Sequence, residues 1–110
     1  MDKTHALAAF SALSQPTRLD VFRLLIKAGP DGMAAGDIAE ALGVRQNTMS
    51  ANLSVLHHAG LVRNTREGRS IRYYADLDGT SGLLAFLMED CCGGNPELCQ
   101  PLISQIACAC

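Results

Sequence analysis

Between Arg45 and His58 the large apolar residues Met49, Leu53 and Leu56 recur at i, i+4 and i+7. That spacing draws one narrow stripe along a helix, so a single side meets a core and the rest faces water. A shorter helix is expected just before it, over 35–42, with Ile38, Ala39 and Leu42 on one face. Gly43 follows, a residue suited to the left-handed position that ends a helix. Beyond the second helix, Ala59-Gly60 stops the pattern. Two short alternating segments, 61–66 and 70–75, then flank Glu67-Gly68-Arg69, the mark of a β-hairpin. A helix, a tight turn, a second helix and a hairpin form a helix-turn-helix with a wing.

The flanks are helical. Residues 4–13 carry Leu7, Phe10 and Leu13. Residues 16–28 open on Pro16, tolerated in a first turn because its missing N–H would have no partner there, with Ser14 or Gln15 as the cap. Leu19, Val21, Phe22, Leu24, Leu25 and Ile26 make that helix apolar nearly all round, as in a central core helix. Ala28-Gly29-Pro30-Asp31-Gly32 ends it. A further helix is expected from about residue 80 to Cys92, capped by Asp78 or Thr80 and carrying Leu83, Leu84, Phe86, Leu87 and Met88. Gly93-Gly94 breaks it, and Asn95-Pro96 starts another.

A chain of 110 residues holds one such domain, over 1–92, and a cysteine-bearing extension over 93–110. The expected class is mainly α with a small β-hairpin. No apolar run approaches the ~20 residues needed to span a bilayer, so no membrane partner is expected. The N-terminus Met1-Asp2-Lys3-Thr4-His5 lacks a signal-peptide core, which points to the cytoplasm.

The net charge of −2 hides a division. Residues 45–75 hold Arg45, Arg63, Arg66, Arg69 and Arg72 against Glu67, whereas the rest holds four basic residues against ten carboxylates. A basic segment on an acidic body suits an anionic partner such as DNA, although a solvated hairpin would carry the same arginines. The side of the second helix away from its stripe carries Gln46, Asn47, Ser50, Ala51 and Ser54, with no carboxylate from Arg45 to Arg66. Asn and Gln pair bidentately with adenine, and Ala meets a thymine methyl, so this face can read a major groove. Arg66 and Arg69 at the hairpin tip, with Arg63 and Arg72 on its arms, suit phosphates or a minor groove.

This order of elements resembles the ArsR/SmtB family of dimeric winged-helix metal-sensing repressors. Pro16-Thr17-Arg18-Leu19 with Phe22-Arg23-Leu24-Leu25 resembles its second helix, and Asp37-Ile38-Ala39-Glu40-Ala41-Leu42-Gly43 its first helix-turn-helix helix. Gln46, Thr48, Met49, Ser50, Leu53 and Leu56 fit its recognition helix, Gly60-Leu61-Val62 the following strand, and Arg66-Glu67-Gly68-Arg69 with Tyr73 its wing. The resemblance spans about residues 5–90. It implies a homodimer on double-stranded operator DNA, paired through the helices at 4–13 and 80–92, with Leu7, Phe10, Leu84 and Leu87 as contacts. It also adds Thr48 and Asn52 to the DNA-facing set, and sets Arg45 where the family often has a capping Ser.

All five cysteines fall in the last twenty residues: Cys91, Cys92, Cys99, Cys108 and Cys110. A disulfide framework usually staples a whole fold, so this clustering points to metal or thiol chemistry. The helix over 35–42, where many arsenic sensors of the family carry Cys-x-Cys, has no cysteine, and no His follows His58, so the family's zinc site is not expected. His5, His57 and His58 are expected at the surface. Cys91, Cys92 and Cys99 are the expected thiolate ligands, and three thiolates suit As(III) or Sb(III), which form three bonds and keep a lone pair. The expected function is an arsenite- or antimonite-responsive repressor. Sensing of cadmium or lead, or a thiol-redox signal, is the alternative. No enzyme is expected: six residues after Cys91 stands Glu97, and after Cys92 Leu98, so no Cys-x5-Arg loop is present.

Overall fold

The computed structural model describes residues 1–89 and 91–107; the side chains at 91, 92, 96 and 107 lie outside the description. Among the described residues the α-helices are α1 (Lys3–Leu13), α2 (Pro16–Ala28), α3 (Ala35–Leu42), α4 (Gln46–His58), α5 (Leu77–Leu87) and α6 (Pro96–Ala107). Three strands are β1 (Met33–Ala34), β2 (Val62–Glu67) and β3 (Ser70–Ala75), in the antiparallel order β1-β3-β2.

Local chemistry accounts for the helix limits. Asp2 caps α1 by accepting from the His5 N–H at 2.9 Å. Gln15 caps α2 by accepting from the Arg18 N–H at 2.7 Å, with Pro16 in the first turn. Gly43 ends α3 in the left-handed region at φ 64°. The wing turns through Gly68, also at positive φ, and pairs Glu67 with Ser70 and Val62 with Ala75.

The core unites Val21 and Leu25 of α2, Ile38 and Ala39 of α3, Met49, Leu53 and Leu56 of α4, Leu61 and Val62, Tyr73 of β3 and Leu83 of α5. Packing at these positions holds the helix-turn-helix against the wing.

Several expectations need correction. Leu7 and Phe10 face outward, as contacts with a second copy would, and from α1 the core takes instead Ala6, Ala9 and Ala12, which were not singled out. The small side chains let α1 lie close to its neighbours, and the large ones are left for something else to cover. α2 is not buried all round, because Leu19 and Ile26 are exposed. β1 was not foreseen: two residues are too short to show a period, yet Met33 pairs with Tyr73 and Ala34 with Arg72. α5 starts at Leu77, not residue 80, because Asp76 caps it by accepting from the Gly79 N–H at 3.0 Å. It ends at Leu87, so Cys91 and Cys92 fall in a separate 3-10 turn, Cys91–Gly94.

Candidate nucleic-acid interface and thiol cluster

Arg45 precedes α4 at the cap position, and its carbonyl accepts from the Met49 N–H at 2.8 Å. The Arg45 side chain makes no capping bond, which leaves it exposed at the helix start. Asn47 partly replaces the missing cap, since its Oδ1 accepts from the Thr48 N–H at 2.9 Å. Its amide NH2 remains available as a donor. Gln46, Asn47, Thr48, Ser50 and Ala51 are all exposed. Gly36 leaves room for Gln46, whose Nε2 would lie 3.3 Å from any Cβ added there.

Asn52 does not belong to this face. It is buried, and Arg18 Nη1 donates to its Oδ1 at 3.3 Å. Arg18 also donates through Nε to the Ala12 carbonyl at 2.7 Å. One guanidinium therefore ties α4 and the end of α1 to α2. The sequence held a signal for this inward turn: position 52 is three beyond Met49 and four before Leu56, at the margin of the buried stripe. The role of Arg18 was missed, although it stood within the Pro16-Thr17-Arg18-Leu19 motif.

The wing arginines divide by what holds them. Arg63 lies over the Tyr74 ring, 4.3 Å from its centroid. Arg66 donates through Nε to the Gly68 carbonyl at 3.2 Å, which shapes the tip. Arg69, exposed beside it, makes no hydrogen bond or ion pair among the described residues. Arg72 is engaged by the fold: its Nε donates to Glu67 Oε1 at 3.1 Å and its Nη1 to the Asp31 carbonyl at 3.1 Å. That second bond joins the wing to the loop before β1, so Arg72 is an anchor of the hairpin before it is a contact.

The histidines lie at the surface. His5 Nδ1 meets Asp2 Oδ1 at 2.8 Å. The His5 backbone N–H, and then its side chain, hold the Asp2 carboxyl below the ordinary carboxylate range. His58 Nδ1 lies 2.8 Å from the Ser54 carbonyl. No group of three or more His, Cys, Asp or Glu placed to hold a metal is found among the described residues.

The cysteine cluster lies partly outside the description, including the side chains of Cys91 and Cys92 and the whole of Cys108 and Cys110. Cys99, one turn into α6, is buried and disulfide-bonded.

Among the described residues no helix is long and apolar enough to cross a membrane. Residues 13–65 match the family described as a helix-turn-helix domain. The chain is 38% identical over 91 residues to ArsR2 of Halobacterium salinarum, whose name is that of an arsenical resistance operon repressor; 83% of this chain and 73% of that protein are covered. The ArsR-like transcriptional regulator from Rhodococcus sp. RHA1 superposes with a TM-score of 0.68 at 28% identity, over 97% of this chain and 96% of that one. The homodimeric winged helix-turn-helix DNA-binding domain of Mb0332 from Mycobacterium bovis gives 0.64 at 32% identity, over 77% and 76%. With the helix-turn-helix, the wing and these likenesses together, the chain belongs to the ArsR family of winged helix-turn-helix transcriptional regulators, which are not enzymes.

Proposed function

We propose that this repressor of the ArsR/SmtB type binds operator DNA as a homodimer in the cytoplasm and leaves it when As(III) or Sb(III) is bound by cysteine thiolates. The exposed, carboxylate-free face of α4 supports the DNA reading. Gln46, Asn47, Ser50 and Ala51 would read bases in the major groove, while Arg45, Thr48, Arg63, Arg66 and Arg69 would hold phosphates. A two-fold dimer asks for half-sites about 34 Å apart, or a multiple of that.

The observation that carries the effector reading is the disulfide at Cys99. That bond marks Cys99 as a sulfur engaged in thiol chemistry. After reduction Cys99 would offer one soft donor, and with Cys91 and Cys92 it would make three. With arsenite, As(OH)3, each step breaks one S–H bond, forms one As–S bond and releases the hydroxide as water. Closing the three bonds ties the turn after α5 to α6 and can shift α5. The coupling needed is about 1–3 kcal/mol. The likeness to ArsR2 of Halobacterium salinarum favours arsenic over cadmium or lead as the ion.

The disulfide also favours a second reading, in which two thiols of the cluster are oxidised by a peroxide, giving a disulfide and two waters, and the oxidised form is the signal. One experiment separates the readings. The protein–operator complex is titrated with arsenite, antimonite, cadmium and zinc in reducing buffer, and with hydrogen peroxide in metal-free buffer. Arsenite or antimonite should release the wild type at the lowest concentration. The Cys91→Ser, Cys92→Ser and Cys99→Ser variants should bind operator normally and resist release. Wild-type release of the triple Ser variant by arsenite would sink the trithiolate reading. Release by peroxide alone would put the redox reading in its place.

A further inference from the structure

A cavity of about 560 Å³ opens where the end of α2, the base of the wing and the start of α5 meet. That volume lies in the range of small-molecule sites. Buried Leu25 and half-buried Ala75 line it from within. Ile26, Pro30 and Leu77 wall it, and two of these are large side chains left open to solvent: Ile26 is 43% exposed and Leu77 67%. No cysteine is among its described lining residues, so it is separate from the thiol cluster.

Its polar side holds one cation on a fixed support. Gly32 leaves the Tyr74 ring no room to move inward, since a Cβ there would lie 2.6 Å from the ring Cδ1, and the Tyr74 hydroxyl meets Thr65 Oγ1 at 3.3 Å. Arg63 lies over this ring, 4.3 Å from its centroid. A guanidinium held by its face keeps its N–H donors free at the edge, in the fork that matches a carboxylate. Among the described residues the Arg63 side chain has no ion pair and no hydrogen bond. Asp76 and Asp78 also reach the cavity, but α5 offsets both. Asp76 caps that helix by accepting from the Gly79 N–H, and Asp78 stands in its first turn, where the helix dipole favours negative charge. Arg63 is therefore the lining charge that lacks a counter-charge.

We infer that this cavity binds a small, mainly apolar carboxylate, with Arg63 taking the carboxylate and Leu25, Ile26, Pro30 and Leu77 the hydrocarbon. Inorganic phosphate would meet Arg63 and leave the apolar walls wet. A neutral hydrocarbon would leave Arg63 unanswered, and an amine would meet it as a like charge. The inference goes beyond the ion held by thiolates and stands whether or not such an ion binds.

The test is a titration of the reduced full-length chain, free of DNA and at neutral pH, read from backbone amide shifts by NMR. The probes are 3-phenylpropanoate, its neutral amide 3-phenylpropanamide, and inorganic phosphate. The carboxylate should shift the amides of Leu25, Gly29, Ala75 and Leu77, with a dissociation constant of about a millimolar or below, as suits a ligand of this size. The neutral amide should bind about tenfold more weakly, for want of the charge-assisted fork. Phosphate should leave the amides of α2 and α5 in place. Arg63→Gln should bring the carboxylate down to the affinity of the neutral amide, and Arg63→Lys should keep a preference for the carboxylate. Ile26→Ser/Leu77→Ser, at two exposed positions, should weaken both ligands several-fold. Leu98→Ser, at an exposed position on α6, should change nothing. Equal affinity for carboxylate and neutral amide in the wild type overturns the inference. Shifts that are absent around the cavity, or confined to α1 and α6, overturn it too. So does a response to phosphate equal to that to the carboxylate, which would make Arg63 a plain anion contact.

Discussion

Gly79, in the first turn of α5, lies directly against the carbonyl oxygen of Gly60, at the exit of α4. A Cβ at position 79 would overlap that carbonyl, and backbone cannot swing aside as a side chain can. Nearby, the Asp76 N–H donates to the Leu61 carbonyl at 2.9 Å. The turn leaving the helix proposed to read DNA and the helix expected at the dimer interface therefore meet backbone to backbone. Gly79→Ala should lower stability by about 1–3 kcal/mol, as overpacking does. Gly82→Ala, on the same helix, would meet only the Met1 side chain at 3.7 Å or more. It should be neutral or gain up to ~1 kcal/mol from helix propensity. Urea unfolding of the two variants makes the comparison, and equal midpoints would mean the close approach is absent in solution.

Asn52 and Asn47 stand five residues apart on α4 and should fail in different ways. Asn52→Ala removes the acceptor of a part-buried guanidinium, so it should cost about 1–3 kcal/mol of stability. Its ratio of operator to random-DNA affinity should stay near wild type. Asn47→Ala should keep most of its stability and lose about 1–3 kcal/mol on the operator alone, if its contact is bidentate. Thermal unfolding beside binding to both DNAs decides this. A specificity loss in Asn52→Ala would return that residue to the reading face.

Salt dependence should single out the wing tip. Arg66→Ala/Arg69→Ala should flatten the slope of log K against log salt by about 0.9 for each phosphate that the variant no longer neutralises. Arg72→Ala releases both Glu67 and the Asp31 carbonyl, so its main effect should be a looser hairpin. An unchanged slope in the tip variant would remove the wing from the DNA interface.

Proton balance should identify the effector ion. Arsenite carries away thiol protons in the water it forms, so its binding should release none to buffer. Cadmium brings no hydroxide, and each protonated thiol that ligates it must give up a proton. Calorimetry in two buffers of different ionisation enthalpy counts these protons. Proton release on arsenite binding would argue against exchange of its hydroxides for thiols.

Much of this fold was legible in the chain. α2 starts at Pro16 behind Gln15, Gly43 ends α3, and Gly68 turns the wing, because capping and turn chemistry act over a few neighbouring residues. The stripe of Met49, Leu53 and Leu56 announced one buried side of α4 for the same local reason. Tertiary structure decided what local rules leave open. Ala6, Ala9 and Ala12 enter the core ahead of Leu7 and Phe10, because close approach of α1 favours small side chains. Asn52 turns inward because Arg18, thirty-four residues earlier, waits there with a donor. β1 exists only because β3 offers it an edge, and the buried Gly32 beside it has no space for a Cβ against the Tyr73 carbonyl and the Tyr74 ring. The type of each residue shows what it can bond. Which partner it meets depends on elements brought together from distant parts of the chain.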